Sequence, residues 1–240
     1  MPRGKKKIQL PTVLTEDTWF YKKYEDQLKP HLGKCYLSYS SYNAYEEYTE
    51  DFIKDKFVKL PQKQKLYASL GNYLGSAVEV GTFPEENPHG FTGQENLKLV
   101  PRPKGAEYER FVLIDMGEYI FIGFIDIYEE KKNKVKLGDL KTGGKNKEKY
   151  YASNKYKQIL LYGRAVELEK KEIEEAYVWF VRRTGSHINP PLHISDEQFK
   201  IPLEYTSELG KKAVEGLDKG ARAISDCYTT YLKFFGDEVK

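Results

Sequence analysis

Tyr119-Ile-Phe-Ile-Gly-Phe-Ile-Asp-Ile-Tyr128 and Val135-Lys-Leu-Gly-Asp-Leu-Lys141 are two apolar stretches that lie close together near the middle of the chain. β-branched and aromatic residues dominate both, and the polar residues 130–133 between them are typical of a hairpin turn. We therefore predict two antiparallel strands, the second ending at Thr142-Gly143-Gly144. Arg110-Phe-Val-Leu-Ile-Asp115 and Ala176-Tyr-Val-Trp-Phe-Val181 predict one further strand on each side.

Helices are predicted around these strands. Serines at 38, 40 and 41 are good N-cap residues, and aromatic residues follow them at helical spacing. The other predicted helices cover about 61–80, 152–171 and 206–235. This order predicts an α/β fold, with a mixed central β-sheet flanked by helices. We expect an irregular N-terminal arm over residues 1–37 and a single domain with a C-terminal helical region over 38–240.

Composition excludes several classes of protein. The longest apolar stretch is interrupted by Gly123 and Asp126, so no segment is predicted to cross a membrane. The two cysteines, Cys35 and Cys227, form neither a disulfide framework nor a zinc-binding spacing. The basic N-terminus is not followed by an apolar region, as a secretory signal would be. We therefore expect a protein without a membrane partner that works in the cytoplasm of a bacterium or inside a host cell.

Two carboxylates lie in the predicted hairpin, where an isolated carboxylate is costly unless it is paired or binds a cation. Asp126 and Asp139 belong to adjacent strands and can face each other. Lys141 follows Asp139 by two residues, so both side chains share a face. Two facing carboxylates and an ammonium suit a divalent-metal hydrolase, in which the lysine orients or deprotonates water. A salt-bridged hairpin end is the alternative interpretation.

A lysine-rich run follows the second strand, with Glu148 as the acid among its lysines. Lys145, Lys147 and Lys149 are its central members. Such a run is often a solvated face. Beside an acidic metal site, the same lysines would bind the phosphates of a nucleic acid.

Several short motifs together resemble the PD-(D/E)xK nuclease superfamily, in its RecB-like branch. The similar elements occur in the order of that branch, between about residues 38 and 183. They are Ser38-Tyr-Ser40 with later aromatics, Gly75-Ser-Ala-Val-Glu79, Gly123-Phe-Ile-Asp126, Gly138-Asp-Leu-Lys-Thr-Gly143 and Gln158-Ile-Leu-Leu-Tyr162. In the second element, Glu79 stands where the branch has histidine.

The resemblance implies a restriction-endonuclease-like core and a site that hydrolyses phosphodiester bonds. Its metal ligands would be Glu79, Asp126, Asp139 and the carbonyl of Leu140, with Lys141 positioning water. Gln158 and Tyr162 would line the site, although Tyr162 could equally be a core residue. An all-oxygen ligand set suits Mg²⁺ or Mn²⁺. Glu79 could instead be a solvated helix residue, but its apolar neighbours favour a ligand.

One departure from the branch concerns its iron–sulfur cluster. Many members have Cys-Pro at the end of the first motif, whereas this chain has Tyr48-Thr49 there. Four thiolates cannot be assembled from two cysteines, so we predict no iron–sulfur cluster. Cys35 and Cys227 are then expected to be small buried residues.

The resemblance implies a metal-dependent deoxyribonuclease with DNA as its partner. We expect an exonuclease in recombination, repair or DNA end processing, of bacterial or phage origin. A second copy of the chain or a recombination protein would be a further partner. The alternative is a non-catalytic nucleic-acid-binding subunit of a recombination or packaging complex, because a fold does not dictate a function.

Overall fold

The computed structural model describes residues 7–47, 49, 52, 62–152, 156–185 and 191–235, without the side chains of 62–65, 145, 146, 152 and 235. Short helical turns occur at Lys22–His31 and Gln94–Leu99. The longer helices in these ranges are α1 (Tyr39–Glu47), α2 (Gln62–Val80), α3 (Lys145–Ala152), α4 (Lys157–Leu168) and α5 (Ser207–Phe235). The strands are β1 (Cys35–Ser38), β2 (Arg110–Asp115), β3 (Tyr119–Ile125), β4 (Ile127–Lys131), β5 (Lys134–Gly143), β6 (Glu172–Thr184) and β7 (His193–Leu203).

The predicted α/β fold class is confirmed, but the strands form two sheets. One sheet has the order β1-β3-β2, with β1 parallel to β3. The other has the order β4-β5-β6-β7, in which β5 and β6 are parallel and the outer pairs are antiparallel. The prediction of one continuous strand over 119–128 was wrong. That segment breaks at Asp126, because β3 pairs within the first sheet and β4 within the second.

The chain divides into two compact units. The described residues of 1–59, 111–123 and 212–240 form one unit, and those of 60–110 and 124–211 form the other. The first unit contains the three-stranded sheet and buried residues from the segment predicted as an irregular arm, including Leu14, Phe20 and Leu28. Cys35 and Cys227 are half-buried thiols rather than the fully buried residues predicted.

Apolar residues from α2 build the core of the second unit. Leu70, Leu74 and Val78 recur at four-residue steps, so one face of the helix is apolar. They pack with Leu140 of β5 and Val181 of β6. Burial of each such side chain stabilises the folded state by about 1.5–3 kcal/mol. Because Leu140 lies between Asp139 and Lys141, this core contact also fixes the strand that carries the candidate site.

Gly138 permits close approach of β5 and β6. It pairs with Tyr177 in the parallel ladder, and a Cβ atom at this position would lie 2.6 Å from the Tyr177 ring. No larger residue fits without moving the ring. Close packing against Tyr177 thus explains why glycine occupies the position before Asp139.

Several elements were absent from the prediction, among them β1 and the short helical turns. The lysine-rich run forms α3, and residues 193–203 form β7, although no element was predicted over 145–151 or 193–203. Among the described residues, no helix is long and apolar enough to cross a membrane.

Candidate active site

Asp126 and Asp139 meet at the end of the β4–β5 hairpin. Ile127 pairs with Gly138 in the last pair of the ladder, and Asp126 and Asp139 are the next residues on the two chain segments. The Asp126 carboxylate accepts a hydrogen bond from the backbone N–H of Leu140 at 2.5 Å. This bond connects Asp126, the residue between β3 and β4, to strand β5, which carries Asp139. The predicted facing of the two carboxylates therefore agrees with the register.

Asp139 is completely buried. Its Oδ2 forms an ion pair with the Lys141 Nζ at 2.7 Å and accepts a hydrogen bond from the Tyr156 hydroxyl at 2.9 Å. Within the described residues, its Oδ1 has no hydrogen-bond partner. A buried carboxylate oxygen without a partner is costly, and a bound cation would satisfy it.

The charges at the site shift the ionisation of Asp126. Burial raises the pKa of its carboxyl to about 8, and the negative charge of Asp139 acts in the same direction. Lys141 and the Leu140 N–H oppose the shift. The protein without a bound cation therefore holds Asp126 as a neutral acid near pH 7, whereas a cation would favour the charged form.

Lys141 is held as an ammonium. Burial alone would lower its pKa, but the charges of Asp139 and Asp126 outweigh burial and raise the pKa above the usual lysine value. Its Nζ also donates to the Leu140 carbonyl at 3.3 Å. A lysine with a raised pKa does not accept a proton at neutral pH. In the protein without a bound cation, Lys141 is therefore an ammonium fixed by Asp139. Its roles in orienting or deprotonating water stay predictions.

Gln158 and Tyr162 lie on one buried face of α4, as predicted from their four-residue spacing. Gln158 Nε2 donates a hydrogen bond to the Tyr162 hydroxyl at 2.8 Å, and Gln158 Oε1 contacts the Tyr156 hydroxyl. Burial and the charges of Asp139 and Asp126 raise the pKa of Tyr162, which keeps its phenol neutral. Both residues therefore connect to Asp139 through Tyr156.

Glu79 differs from the buried residues of this site, because it is exposed. Ala77 and Val78 are buried, but the helical period turns Glu79 and Val80 to the exposed side of α2. The inference that apolar neighbours bury Glu79 was wrong. In the described part of the chain, no three His, Cys, Asp or Glu side chains are grouped to hold a metal ion. The assignment of Glu79 as a metal ligand stays a prediction from the resemblance.

The donor set nevertheless fits a divalent cation in part. Asp139 offers a buried oxygen without a partner, and Asp126 offers a second carboxylate. The Leu140 carbonyl is a third oxygen next to them in the chain. Hard oxygen ligands of this kind suit Mg²⁺ or Mn²⁺ rather than zinc.

The three predicted DNA-binding lysines lie within the first five residues of helix α3. Lys147 and Lys149 are exposed, and the side chain of Lys145 lies outside the described residues. Successive helical positions differ by about 100°, so Lys145 and Lys149 share a face that Lys147 does not. Glu148 between them pairs with Arg182 at 2.9 Å.

Sequence reasoning missed Tyr156 and Glu109. Tyr156 contacts both Asp139 and Gln158. Glu109 adopts a left-handed φ of 53°, and its charge contributes to raising the pKa of Asp126. A tyrosine two residues before Gln158 was visible in the sequence, but its contact with Asp139 depends on the tertiary packing. Nothing in the sequence indicated Glu109.

No protein-family model matches the chain, and no curated protein is significantly similar to it. Among solved structures, a candidate exonuclease from Eubacterium rectale is similar, with a TM-score of 0.53 and 13% identity. The match covers 88% of this chain and 85% of that protein. A second structure, of the protein SSO0001, has a TM-score of only 0.33, with 14% identity and 82% coverage of each chain. The chain therefore shares its fold with the candidate exonuclease.

Proposed function

We propose that this chain is a metal-dependent DNA nuclease of the PD-(D/E)xK superfamily, in its RecB-like branch, and that it acts as an exonuclease. The observation that carries the proposal is that Asp126 and Asp139 lie close enough to interact electrostatically, with the Lys141 ammonium bound to Asp139. A fold shared with a candidate exonuclease supports the same function.

The two aspartates would hold the cation. Asp139 Oδ1 needs a partner that the described residues do not supply, and Asp126 becomes easier to ionise when a positive charge lies beside it. A bound Mg²⁺ or Mn²⁺ would polarise a phosphoryl oxygen and promote ionisation of the attacking water.

Lys141 would act on the charge that develops during cleavage. Its ammonium is already fixed by Asp139 at 2.7 Å, so it needs no reorganisation when the phosphate becomes more negative. Preorganised charges of this kind supply a large share of rate enhancement in many enzymes. Held in place by Asp139, Lys141 would also orient the attacking water.

DNA would be held by its phosphates near this site. Helix α3 begins two residues after the end of β5, so the exposed Lys147 and Lys149 follow closely in the chain after Lys141. Contacts from lysine to phosphate position a duplex without reading its sequence. We therefore expect binding that depends on salt and not on sequence. Recombination, repair and end processing are the pathways that such an activity fits.

The test is digestion of labelled DNA of defined topology. Linear duplex, gapped duplex and covalently closed circles are incubated with purified protein in Mg²⁺, Mn²⁺, Ca²⁺ or EDTA. We expect cleavage of the linear DNA in Mg²⁺ and Mn²⁺, little in Ca²⁺ and none in EDTA, while closed circles survive. A Lys141→Ala preparation purified in parallel shows whether a contaminating nuclease is responsible.

Each other outcome corrects a defined part of the proposal. Cleavage of closed circles would leave a nuclease but overturn the requirement for an end. Binding of DNA without cleavage in any of these metals would overturn the proposed catalytic activity and favour a non-catalytic binding subunit. Absorbance from iron in the purified protein would overturn the prediction that no iron–sulfur cluster is present.

A further inference from the structure

Tyr156 lies directly before α4 and is almost completely buried. Its hydroxyl is 2.9 Å from Asp139 Oδ2 and also contacts the side-chain amide of Gln158. Asp139 Oδ2 receives the Lys141 ammonium as well. The phenol thus touches the same carboxylate oxygen that the lysine holds.

The direction of these hydrogen bonds follows from proton counting. A tyrosine hydroxyl has one proton, so it cannot donate to Asp139 and to an amide oxygen together. In the structure, Gln158 Nε2 donates to the Tyr162 hydroxyl and Gln158 Oε1 faces the Tyr156 hydroxyl. If the amide is rotated so that Nε2 faces Tyr156, each of these three donors has one acceptor: Tyr162 donates to Gln158, Gln158 donates to Tyr156, and Tyr156 donates to Asp139. The two ends of an amide have nearly the same shape, so this rotation needs no other movement.

We propose that Tyr156 is a positioning residue for Asp139, at the end of a directional relay from Tyr162 through Gln158. The inference rests on the proposed function and adds a residue to it. Tyr156 and Lys141 both bind Oδ2, so the carboxylate is held with Oδ1 turned to the side where it has no partner among the described residues. The relay therefore orients Oδ1 for a cation without touching the cation itself.

Packing places the Tyr156 ring independently of its hydroxyl. The ring meets Tyr151 edge-on, with centroids 5.0 Å apart, and the Lys141 Nζ lies 5.8 Å from its centre. Phenylalanine keeps these contacts, since it differs only by the hydroxyl. Tyr156→Phe thus removes the bond to Asp139 while preserving the aromatic packing.

The test is calorimetric titration of the full chain with Mn²⁺ alone, alongside DNA cleavage over a range of Mn²⁺ concentrations. Loss of a residue that orients a metal ligand lowers metal affinity by about 10- to 100-fold. We expect Tyr156→Phe to bind Mn²⁺ about tenfold more weakly by this relation. The Mn²⁺ concentration for half-maximal cleavage should rise by the same factor, and excess Mn²⁺ should restore much of the rate.

Tyr119→Phe is the matched control. Tyr119 is a fully buried tyrosine of the other unit, and its hydroxyl has no hydrogen-bond partner in the described part of the chain. Its removal should leave Mn²⁺ affinity and cleavage unchanged. A purely structural role of Tyr156 would lower the melting temperature of Tyr156→Phe without changing its Mn²⁺ affinity.

The outcomes separate this inference from the proposed function. Wild-type Mn²⁺ affinity in folded Tyr156→Phe, together with active wild-type protein, would overturn the positioning role alone. Wild-type protein that neither binds Mn²⁺ nor cleaves DNA would overturn both. Should Tyr156→Phe fail to fold, Gln158→Met carries the test, because it removes the amide that holds the Tyr156 hydroxyl. Unchanged Mn²⁺ affinity in that variant would also overturn the relay.

Discussion

Replacing Asp126 with asparagine should stabilise the metal-free protein while it weakens cation binding. The raised pKa means that the folded chain holds a proton on Asp126 near pH 7, whereas the unfolded chain has released it. Folding of the metal-free chain near pH 7 therefore includes the free-energy cost of protonating Asp126. Asparagine has the same shape, accepts the Leu140 N–H and never ionises, so it removes this cost.

The size of the effect follows from the ionisation equilibrium. Each pKa unit corresponds to about 1.36 kcal/mol. At pH 7, about three units of the interval between 3.8 and the folded pKa of about 8 have been crossed, which gives an upper bound of roughly 4 kcal/mol. Asp126 keeps part of its surface accessible, and we therefore expect a gain of about 1–2 kcal/mol after solvent screening. For a chain of this length, such a gain raises the melting temperature by about 2–8 °C.

The pH dependence has a definite sign. Between the unfolded and folded pKa values of Asp126, the folded state binds more protons, so wild-type stability from this group falls as pH rises from about 4 to 8. The difference between Asp126→Asn and wild type should be small at pH 4 and largest above pH 8. It is measured by thermal unfolding in EDTA across this range.

Asp115→Asn is the matched control. Burial opposes ionisation of Asp115, but its bonds with Lys34 and the Gly117 N–H outweigh burial and lower its pKa. That substitution should slightly destabilise the protein at neutral pH, and the effect should disappear in acid. An Asp126→Asn variant that is less stable than wild type at pH 8 in EDTA would refute the electrostatic reasoning.

Three other perturbations test separate parts of the account. Lys141→Ala should reduce the cleavage rate by roughly a hundredfold or more while DNA binding survives. Lys136→Ala, on the same strand, should leave the rate unchanged, and equal losses of rate in both variants would contradict a specific role of Lys141. Alanine at all three α3 lysines should lower the salt slope of log K for DNA by about one to three units, and an unchanged slope would return them to a solvated face. Gly138→Ala should destabilise the protein by about 1–3 kcal/mol, because its Cβ would meet the Tyr177 ring, whereas Gly144→Ala has open space; equal melting temperatures would refute this packing.

The sequence predicted the parts of the site that depend on local periodicity. The alternation of side chains along a strand set Asp139 and Lys141 on one face, and their ion pair at 2.7 Å agrees with it. The helical spacing of Gln158 and Tyr162 likewise gave their shared buried face. These predictions needed neighbours within four residues, and such neighbours are visible in any sequence.

Features that depend on distant partners were missed. The break at Asp126 was hidden because the apolar pattern is the same on both sides, although β3 and β4 pair in different sheets. Strand β7 is rich in polar residues and contains Pro202, so its pairing with β6 rather than its composition makes it a strand. The exposure of Glu79 depends on which face of α2 meets the core, and its immediate neighbours misled the prediction.

The central claim is that the hairpin carrying Asp139 is the catalytic centre of a metal-dependent nuclease. The most direct test is the rate of cleavage of an end-labelled linear duplex in Mn²⁺ by wild type, Asp139→Asn and the control Asp115→Asn. The account predicts cleavage by wild type and Asp115→Asn, no cleavage in EDTA, and a rate at least about a hundredfold lower for folded Asp139→Asn. Equal rates for wild type and folded Asp139→Asn, or an inactive wild type that still binds DNA, would contradict it.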